Sequence, residues 1–194
     1  EIWMLDSANY NTATVNITKS VKILAVPGAV GSVLAIGGPA ISIATAGVSV
    51  SLRNLVIAPL PGGGGTNGVQ MTAGSSLTVE GSFLTDLPSG GILVSTPASV
   101  KVVDTTIRVS GNGIRVESGA YATVTRCVVN ATGGSYAAVY VHGSPAGTTT
   151  TMSVSDSTLE GSFLGAYAYA ADATATAKLA VHGSQFSRNH FGLD

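Results

Sequence analysis

Apolar residues recur at every second position in short runs along this chain. Residues 113–129, GIRVESGAYATVTRCVV, predict a strand at 114–116, a tight turn, and a second strand at 122–129. The same arrangement recurs at residues 91–107 and 68–84. Apolar spacing of two, with many Val, Ile, Thr and Ser, indicates strands rather than helices.

The second predicted strand of each unit aligns in columns. The six aligned segments are residues 50–57, 77–84, 100–107, 122–129, 152–159 and 179–186, and they start 22 to 30 residues apart. Their third positions are apolar: Leu52, Val79, Val102, Val124, Val154 and Val181. Their fifth positions hold residues typical of corners, such as Asn54, Gly81, Asp104, Asp156 and Gly183, and their sixth positions are mostly small. This period predicts a solenoid whose stacked turns bury matching side chains.

The rest of the chain fits the period more loosely. In the first 47 residues the pattern predicts strands at 2–5, 14–17, 21–26, 33–36 and 41–44. Two predicted insertions, residues 59–66 and 143–151, bulge from the column, and such loops often bind ligands. A β-sandwich is the alternative, with hairpins at Asn67-Gly68 and Asn112-Gly113. Both dipeptides fall at one place in the period, which favours a solenoid corner.

Two features resemble a known family. Residues 5–23, LDSANYNTATVNITKSVKI, resemble the opening rung of bacterial right-handed parallel β-helix repeat proteins of the pectate-lyase-like superfamily. The rung starts Gly68-Val69, Gly91-Ile92 and Gly113-Ile114 are similar to theirs as well. The resemblance implies an all-β, single-stranded right-handed parallel β-helix of roughly 7 rungs, with 22–30 residues each, and a secreted or cell-surface location. We expect one β-helix domain over residues 1–194, a fragment or processed part of a longer chain.

Composition restricts the partners. Charged residues make up 10% of the chain and the formal net charge is −1, so no nucleic-acid partner is predicted. Gly, Ser and Pro interrupt the apolar runs, so no membrane span is predicted. The single cysteine, Cys127, occupies the small sixth position and is interpreted as an inward spacer.

The acidic residues do not form an evident catalytic group. Pectate lyases of the resembled family use clustered aspartates to hold calcium and an arginine or lysine as base. Here Asp104 and Asp156 share a column but lie two rungs apart, about 10 Å, with Arg126 between them. We expect corner aspartates paired with Arg126. The polygalacturonase motifs NTD, DD, GHG and RIK do not occur in the sequence. No catalytic residue, metal or cofactor is predicted.

Other charged side chains are predicted to pair on the surface. Arg115 and Glu117 are two residues apart on one strand and share its outer face. Arg53 and Glu80 occupy the fourth position of adjacent rungs and can also pair.

Aromatic residues give the best binding candidates. Tyr140 is predicted to point outward, and residues 165–171, GAYAYAA, fit two registers, with either the alanines or the tyrosines inward. Outward tyrosines would extend a ladder suited to the apolar faces of sugars. The candidate binding residues are Tyr140, His142, Tyr167, Tyr169, Arg115 and Glu117. His142 and His182 share the sequence VHGS but fall on different strands, so a metal site between them is not expected.

Three functions remain open. The first is a non-enzymatic module, structural, adhesive or carbohydrate-binding, whose partner is a polysaccharide or cell-surface glycan. The second is a polysaccharide lyase or hydrolase whose catalytic residues are degenerate or lie elsewhere. The third is a unit that self-associates end to end through the exposed edges of its terminal strands.

Overall fold

Every regular element of this chain is a β-strand in the computed structural model, which describes residues 1–9 and 11–194. In chain order the strands are β1 (Ile2–Met4), β2 (Val15–Ile17), β3 (Val21–Ala25), β4 (Gly31–Ala35), β5 (Ile41–Ile43), β6 (Ser49–Arg53), β7 (Leu55–Pro59), β8 (Asn67–Met71), β9 (Ser76–Glu80), β10 (Phe83–Thr85), β11 (Gly90–Val94), β12 (Ser99–Val103), β13 (Thr106–Val109), β14 (Asn112–Glu117), β15 (Tyr121–Thr125), β16 (Val128–Ala131), β17 (Ala137–Gly143), β18 (Thr149–Ser155), β19 (Thr158–Glu160), β20 (Leu164–Ala170), β21 (Thr176–His182), β22 (Gln185–Ser187) and β23 (Phe191–Leu193). None of the described residues forms a helix long and apolar enough to cross a membrane.

The strands form three parallel sheets. The first sheet has the order β1-β3-β6-β9-β12-β15-β18-β21, the second β4-β7-β10-β13-β16-β19-β22, and the third β2-β5-β8-β11-β14-β17-β20-β23. From β3 to β23 the chain visits the first, second and third sheets in turn, seven times. The predicted parallel β-solenoid of roughly seven rungs is therefore confirmed.

The inward rows form one continuous apolar core. In the first sheet the predicted third-position column is buried through Leu52, Val79, Val102, Val124 and Val154, and Val181 in the last turn is partly buried against it. The in-register pairing stacks each of these side chains on its counterpart in the next turn. Burying an aliphatic side chain stabilises the fold by about 1.5–3 kcal/mol, so these rows are the main support of the stack.

One strand prediction was wrong in its length. Residues 122–129 form β15 and β16 on different sheets, because Arg126 adopts a φ of 52° and turns the chain between them. Asn54, Asp104 and Asp156 make the same turn at φ values of 55°, 50° and 50°. A left-handed residue cannot continue an extended strand, so each predicted eight-residue strand is two strands joined at a corner.

The small residues beside this corner form a hydrogen-bonded ladder. The Leu55 backbone N–H donates to Ser82 Oγ at 3.2 Å, and the Cys127 N–H donates to Ser157 Oγ at 3.0 Å. The Ser157 N–H in turn donates to Ser184 Oγ at 3.1 Å. The ladder supplies partners for backbone groups at a bend where sheet pairing is interrupted. Cys127 is buried within it, as predicted for an inward spacer.

The two predicted insertions differ in the structure. Residues 60–66 lie between β7 and β8 and lengthen a corner, as expected. The prediction for residues 143–151 was wrong in extent, because β17 continues to Gly143 and β18 begins at Thr149. Only residues 144–148 lie outside strands there, so the extra residues mainly lengthen β17, which holds Tyr140 and His142, and β18.

Candidate functional site

All six candidate binding residues lie together on the outer face of the third sheet. The parallel register of β14, β17 and β20 aligns Arg115, Tyr140 and Tyr167 in one row. It aligns Glu117, His142 and Tyr169 in a second row, two positions further along each strand. The intervening Val116 and Val141 are fully buried, so alternation along the strand directs the six candidates outward.

The structure decides between the two registers of residues 165–171. Ala166 is fully buried and Ala168 packs against the core, whereas Tyr167 and Tyr169 lie on the outer face. Of the tyrosines in the two rows, Tyr169 is the most exposed, at 47%. The alanines-inward register is therefore the one adopted, and the outer ladder extends from β17 to β20.

Four rings form a compact group on these two strands. Tyr140 and Tyr167 stack across the turns with centroids 5.0 Å apart, and His142 and Tyr169 lie 6.0 Å apart. Along the strands, Tyr140 lies 5.6 Å from His142 and Tyr167 lies 6.2 Å from Tyr169. The rings are within 29° of parallel. We call Tyr140, His142, Tyr167 and Tyr169 the aromatic group.

Tyr140 is enclosed within this surface. The Arg115 guanidinium carbon lies 5.1 Å from the centre of its ring, and Arg115 and Tyr167 belong to the turns on either side of it. Burial raises the pKa of the Tyr140 hydroxyl above its usual value. Since both ring faces have neighbours, Tyr140 supports the rings of β20 and leaves only its edge and hydroxyl for a ligand.

Arg115, Glu117 and His142 form a half-buried ionic cluster beside the rings. The Arg115 guanidinium donates to Glu117 Oε2 from two nitrogens, at 3.1 and 2.7 Å. His142 Nδ1 lies 3.1 Å from both Arg115 and Glu117 Oε2, and its tautomer decides whether it accepts from Arg115 or donates to Glu117. The predicted pair is confirmed, and the positive charge of Arg115 is neutralised within the cluster.

A small pocket adjoins the cluster toward the N-terminal turns. It has a volume of about 160 Å³, and its lining includes Asn67, Ser89, Gly90, Leu93, Asn112 and Arg115. The spacing of apolar residues does not indicate this pocket. The signal that could have found it is a glycine, Gly90, at a rung position where both neighbouring turns have asparagine.

Other predicted charge pairs lie away from this face. Arg126 binds Asp104 with two hydrogen bonds, at 2.7 and 2.8 Å, and these bonds lower the pKa of the Asp104 carboxyl. Arg53 lies 3.0 Å from Glu80. Both predicted pairs are confirmed. Arg126 and Asp104 lie at corners, and Arg53 and Glu80 lie on β6 and β9 of the first sheet.

The remaining candidate metal ligands are dispersed. His182 is on β21 of the first sheet and His142 is on β17 of the third, as expected from the period. Among residues 1–9 and 11–194, no group of three or more His, Cys, Asp or Glu side chains is arranged to hold a metal ion.

A larger groove than this pocket lies on a different sheet. It encloses about 440 Å³ over the outer face of β3, β6 and β9, and Ser20, Lys22, Ser49, Ser51 and Thr78 are among its lining residues. It is wide and open and has no aromatic side chain in its lining. Ligand sites typically combine apolar or aromatic walls with a few polar groups, which favours the third sheet despite its smaller pocket.

Comparison with known proteins identifies the repeat. A family model described as a right handed beta helix region matches residues 7–191. Neither the curated proteins nor the solved structures gave a match.

Proposed function

The chain belongs to the right-handed beta helix family, and on that premise we propose that it is a non-enzymatic module that binds a polysaccharide or cell-surface glycan. The observation that supports this function is the aromatic group on the outer face of β17 and β20. Tyr169 is its exposed member and Tyr167 is half-buried beside it, and tyrosine combines an apolar ring with a hydrogen-bonding hydroxyl. With this function, we propose that the protein acts outside the cell or at the cell surface.

Binding explains the side chains of this face better than catalysis does. Glu117 is held by Arg115 and lies against His142, so its carboxylate is committed to the cluster. Tyr140 has a raised pKa, which opposes the proton abstraction required of a tyrosine base. A site that orients rings and neutralises its own charges is suited to holding a neutral sugar chain.

The test is affinity electrophoresis and calorimetry with soluble β-glucan, xylan and galactan, and with polygalacturonate and alginate as acidic polymers. We expect retention by a neutral polymer. Tyr169→Ala is expected to weaken binding about tenfold, because an aromatic contact contributes about 0.5–1.5 kcal/mol beyond its buried area.

The matched control is Tyr121→Ala, which removes a tyrosine that is 52% exposed on the first sheet. Equal weakening by Tyr121→Ala, or no retention by any polymer, would contradict the proposed site. Release of sugar products by the wild-type protein, with or without calcium, would overturn the non-enzymatic part of the proposal.

End-to-end association is a second candidate, supported by a separate observation. Trp3 on the edge strand β1 and Leu5 just after it are exposed, and Phe191 and Leu193 are exposed on β23 at the other end. Apolar side chains beside unpaired strand edges favour pairing with another copy. Light scattering over a range of protein concentrations tests this, and a monomer at the highest concentration would contradict it.

A further inference from the structure

The pocket beside Arg115 is open because residue 90 is a glycine and has no side chain. Gly90 begins β11 and pairs in register with Asn67 of the preceding turn and Asn112 of the following turn. A Cβ atom at Gly90 would lie 2.8 Å from the Asn112 carbonyl oxygen and 3.1 Å from Asn67 Oδ1. The glycine therefore leaves a gap between two asparagines on the outer face of the third sheet.

The groups around this gap can bind hydroxyls. The Asn67 amide has one long contact, 3.4 Å from its Nδ2 to Gln70 Oε1. Asn112 Oδ1 accepts the Ala137 N–H at 3.0 Å, and no partner for the Asn112 amide N–H groups is found among the described residues. Ser89 adds an exposed hydroxyl, and the half-buried Leu93 adds an apolar wall. Donors, acceptors and one apolar surface around about 160 Å³ fit part of a sugar ring.

The end of the pocket formed by Leu93 and Arg115 is joined to the aromatic group by one row of outward side chains, and Gly90 with its two asparagines lies three positions earlier on the same strands. Leu93 pairs with Arg115, Arg115 with Tyr140, and Tyr140 with Tyr167. These are three steps between adjacent parallel strands, or about 14 Å at 4.7–4.9 Å per step. The row crosses the strands, so it runs along the axis of the solenoid.

The charges along this row are compensated. Arg115 lies at the rim of the pocket, and both of its donating nitrogens are directed to Glu117 Oε2. No further ion pair involves Arg115 in the part of the chain that the structure describes. A carboxylate on the ligand would have to compete with Glu117, which favours an uncharged chain.

We propose that the Gly90 pocket is the end subsite of a binding surface for a neutral, extended glycan that runs mainly along the solenoid axis. One sugar ring occupies the pocket, and the chain passes Arg115 and the edge of Tyr140 to reach Tyr167 and Tyr169. With roughly one ring for each step between strands, the surface holds about four rings. This inference rests on the proposed function and adds the ligand's orientation, length and charge.

The experiment is calorimetric titration with cello- and xylo-oligosaccharides of increasing length, from dimers to hexamers. For the wild-type protein the affinity of at least one series is expected to rise up to about four units and then level off. The double variant Asn67→Ala/Ser89→Ala is expected to weaken tetramer binding about tenfold, through the loss of two hydrogen bonds, and to leave dimer binding on the tyrosines unchanged.

The control is the double variant Asn16→Ala/Ser42→Ala, which removes the same residue types from the outer face of β2 and β5, in turns before the pocket. It is expected to bind every oligomer as the wild type does. Unfolding curves of both double variants should match that of the wild type, because neither pair of side chains is buried.

Different failures separate this inference from the proposed function. Two results would overturn the pocket as a subsite: an affinity that levels off at dimers, or an equal loss of dimer and tetramer binding in Asn67→Ala/Ser89→Ala. If Tyr169→Ala still weakens binding in either case, the proposed function stands. Binding of acidic polymers alone would overturn the neutral ligand. Absence of binding by every neutral and acidic probe would overturn both the inference and the proposed function.

Discussion

The inward and outward rows of the same strands obey different constraints. Along β14 and β17 the inward Val116 and Val141 repeat one aliphatic shape in successive turns, whereas the outward Arg115 and Tyr140 differ in size and charge. The inward rows must stack on neighbours above and below, so they tolerate little change. The outward rows also contact neighbours in adjacent turns, but solvent lies on their outer side, so their side chains can vary in size and charge without disturbing the core.

The largest expected effect comes from placing a charge in an inward row. Val124→Asp puts a carboxylate between Val102 and Val154, where it has no partner, and should destabilise the protein by more than about 4 kcal/mol or prevent folding. Thr123→Asp places the same side chain one residue earlier on the outer face and should change stability by about 0.5 kcal/mol or less. Urea unfolding monitored by circular dichroism measures both, and similar losses would refute the contrast.

A smaller effect on stability is expected from a substitution in the outward cluster of Arg115, Glu117 and His142. Glu117→Gln removes the negative partner of Arg115 and should cost about 1–2 kcal/mol of stability, since charge-assisted hydrogen bonds are lost at a half-buried site. The freed guanidinium should also raise affinity for alginate or polygalacturonate in a salt-dependent way.

The control for this change is Glu80→Gln, which releases the exposed Arg53 on the first sheet. Gel retardation by acidic polymers at two salt concentrations is the measurement. Equal gains in both variants would mean that added net charge, rather than the position beside the aromatic group, determines acidic-polymer binding.

The smallest effect concerns the Cys127 thiol in the hydrogen-bonded ladder beside the corners. Burial raises the pKa of the Cys127 thiol to about 11 from an ordinary 9.0, so the unfolded chain loses this proton at lower pH than the folded one. The thiol's contribution to stability is therefore fully present below pH 9 and is lost as the pH rises through about 11.

Cys127→Ser should abolish that alkaline loss and, with a better acceptor in the ladder, raise stability at neutral pH by about 0.5 kcal/mol. Urea midpoints between pH 7 and 10.5 test this. An identical fall in stability for wild type and variant above pH 9 would assign the loss to other groups.

The period of the sequence was sufficient to predict the solenoid, because each turn must repeat its inward side chains. It also placed Cys127 and the corner residues correctly. It could not choose the register of residues 165–171, since Ala and Tyr both fit a strand facing either way. The structure resolves this, because Ala166 is fully buried in the core and Ala168 packs against it.

The parts that the sequence left open depend on neighbours in adjacent turns. The strand break at Arg126 requires a left-handed backbone that a long side chain rarely adopts, so the pattern of Val and Thr hid it. The Gly90 pocket depends on asparagines 23 residues before and 22 residues after it, and only a turn-by-turn alignment brings them together. The grouping of the six candidate residues was foreseeable; their binding role stays a prediction.

In-register stacking also makes this surface extensible by gene duplication. Copying one whole turn between β14 and β17 would insert another layer of matching core residues and move the pocket away from the tyrosines by about 4.8 Å. A longer oligomer would then be needed to reach both ends. The number of turns between two outward features therefore sets the length of ligand that can reach both. It can change by whole turns without any change to the core residues of the other turns.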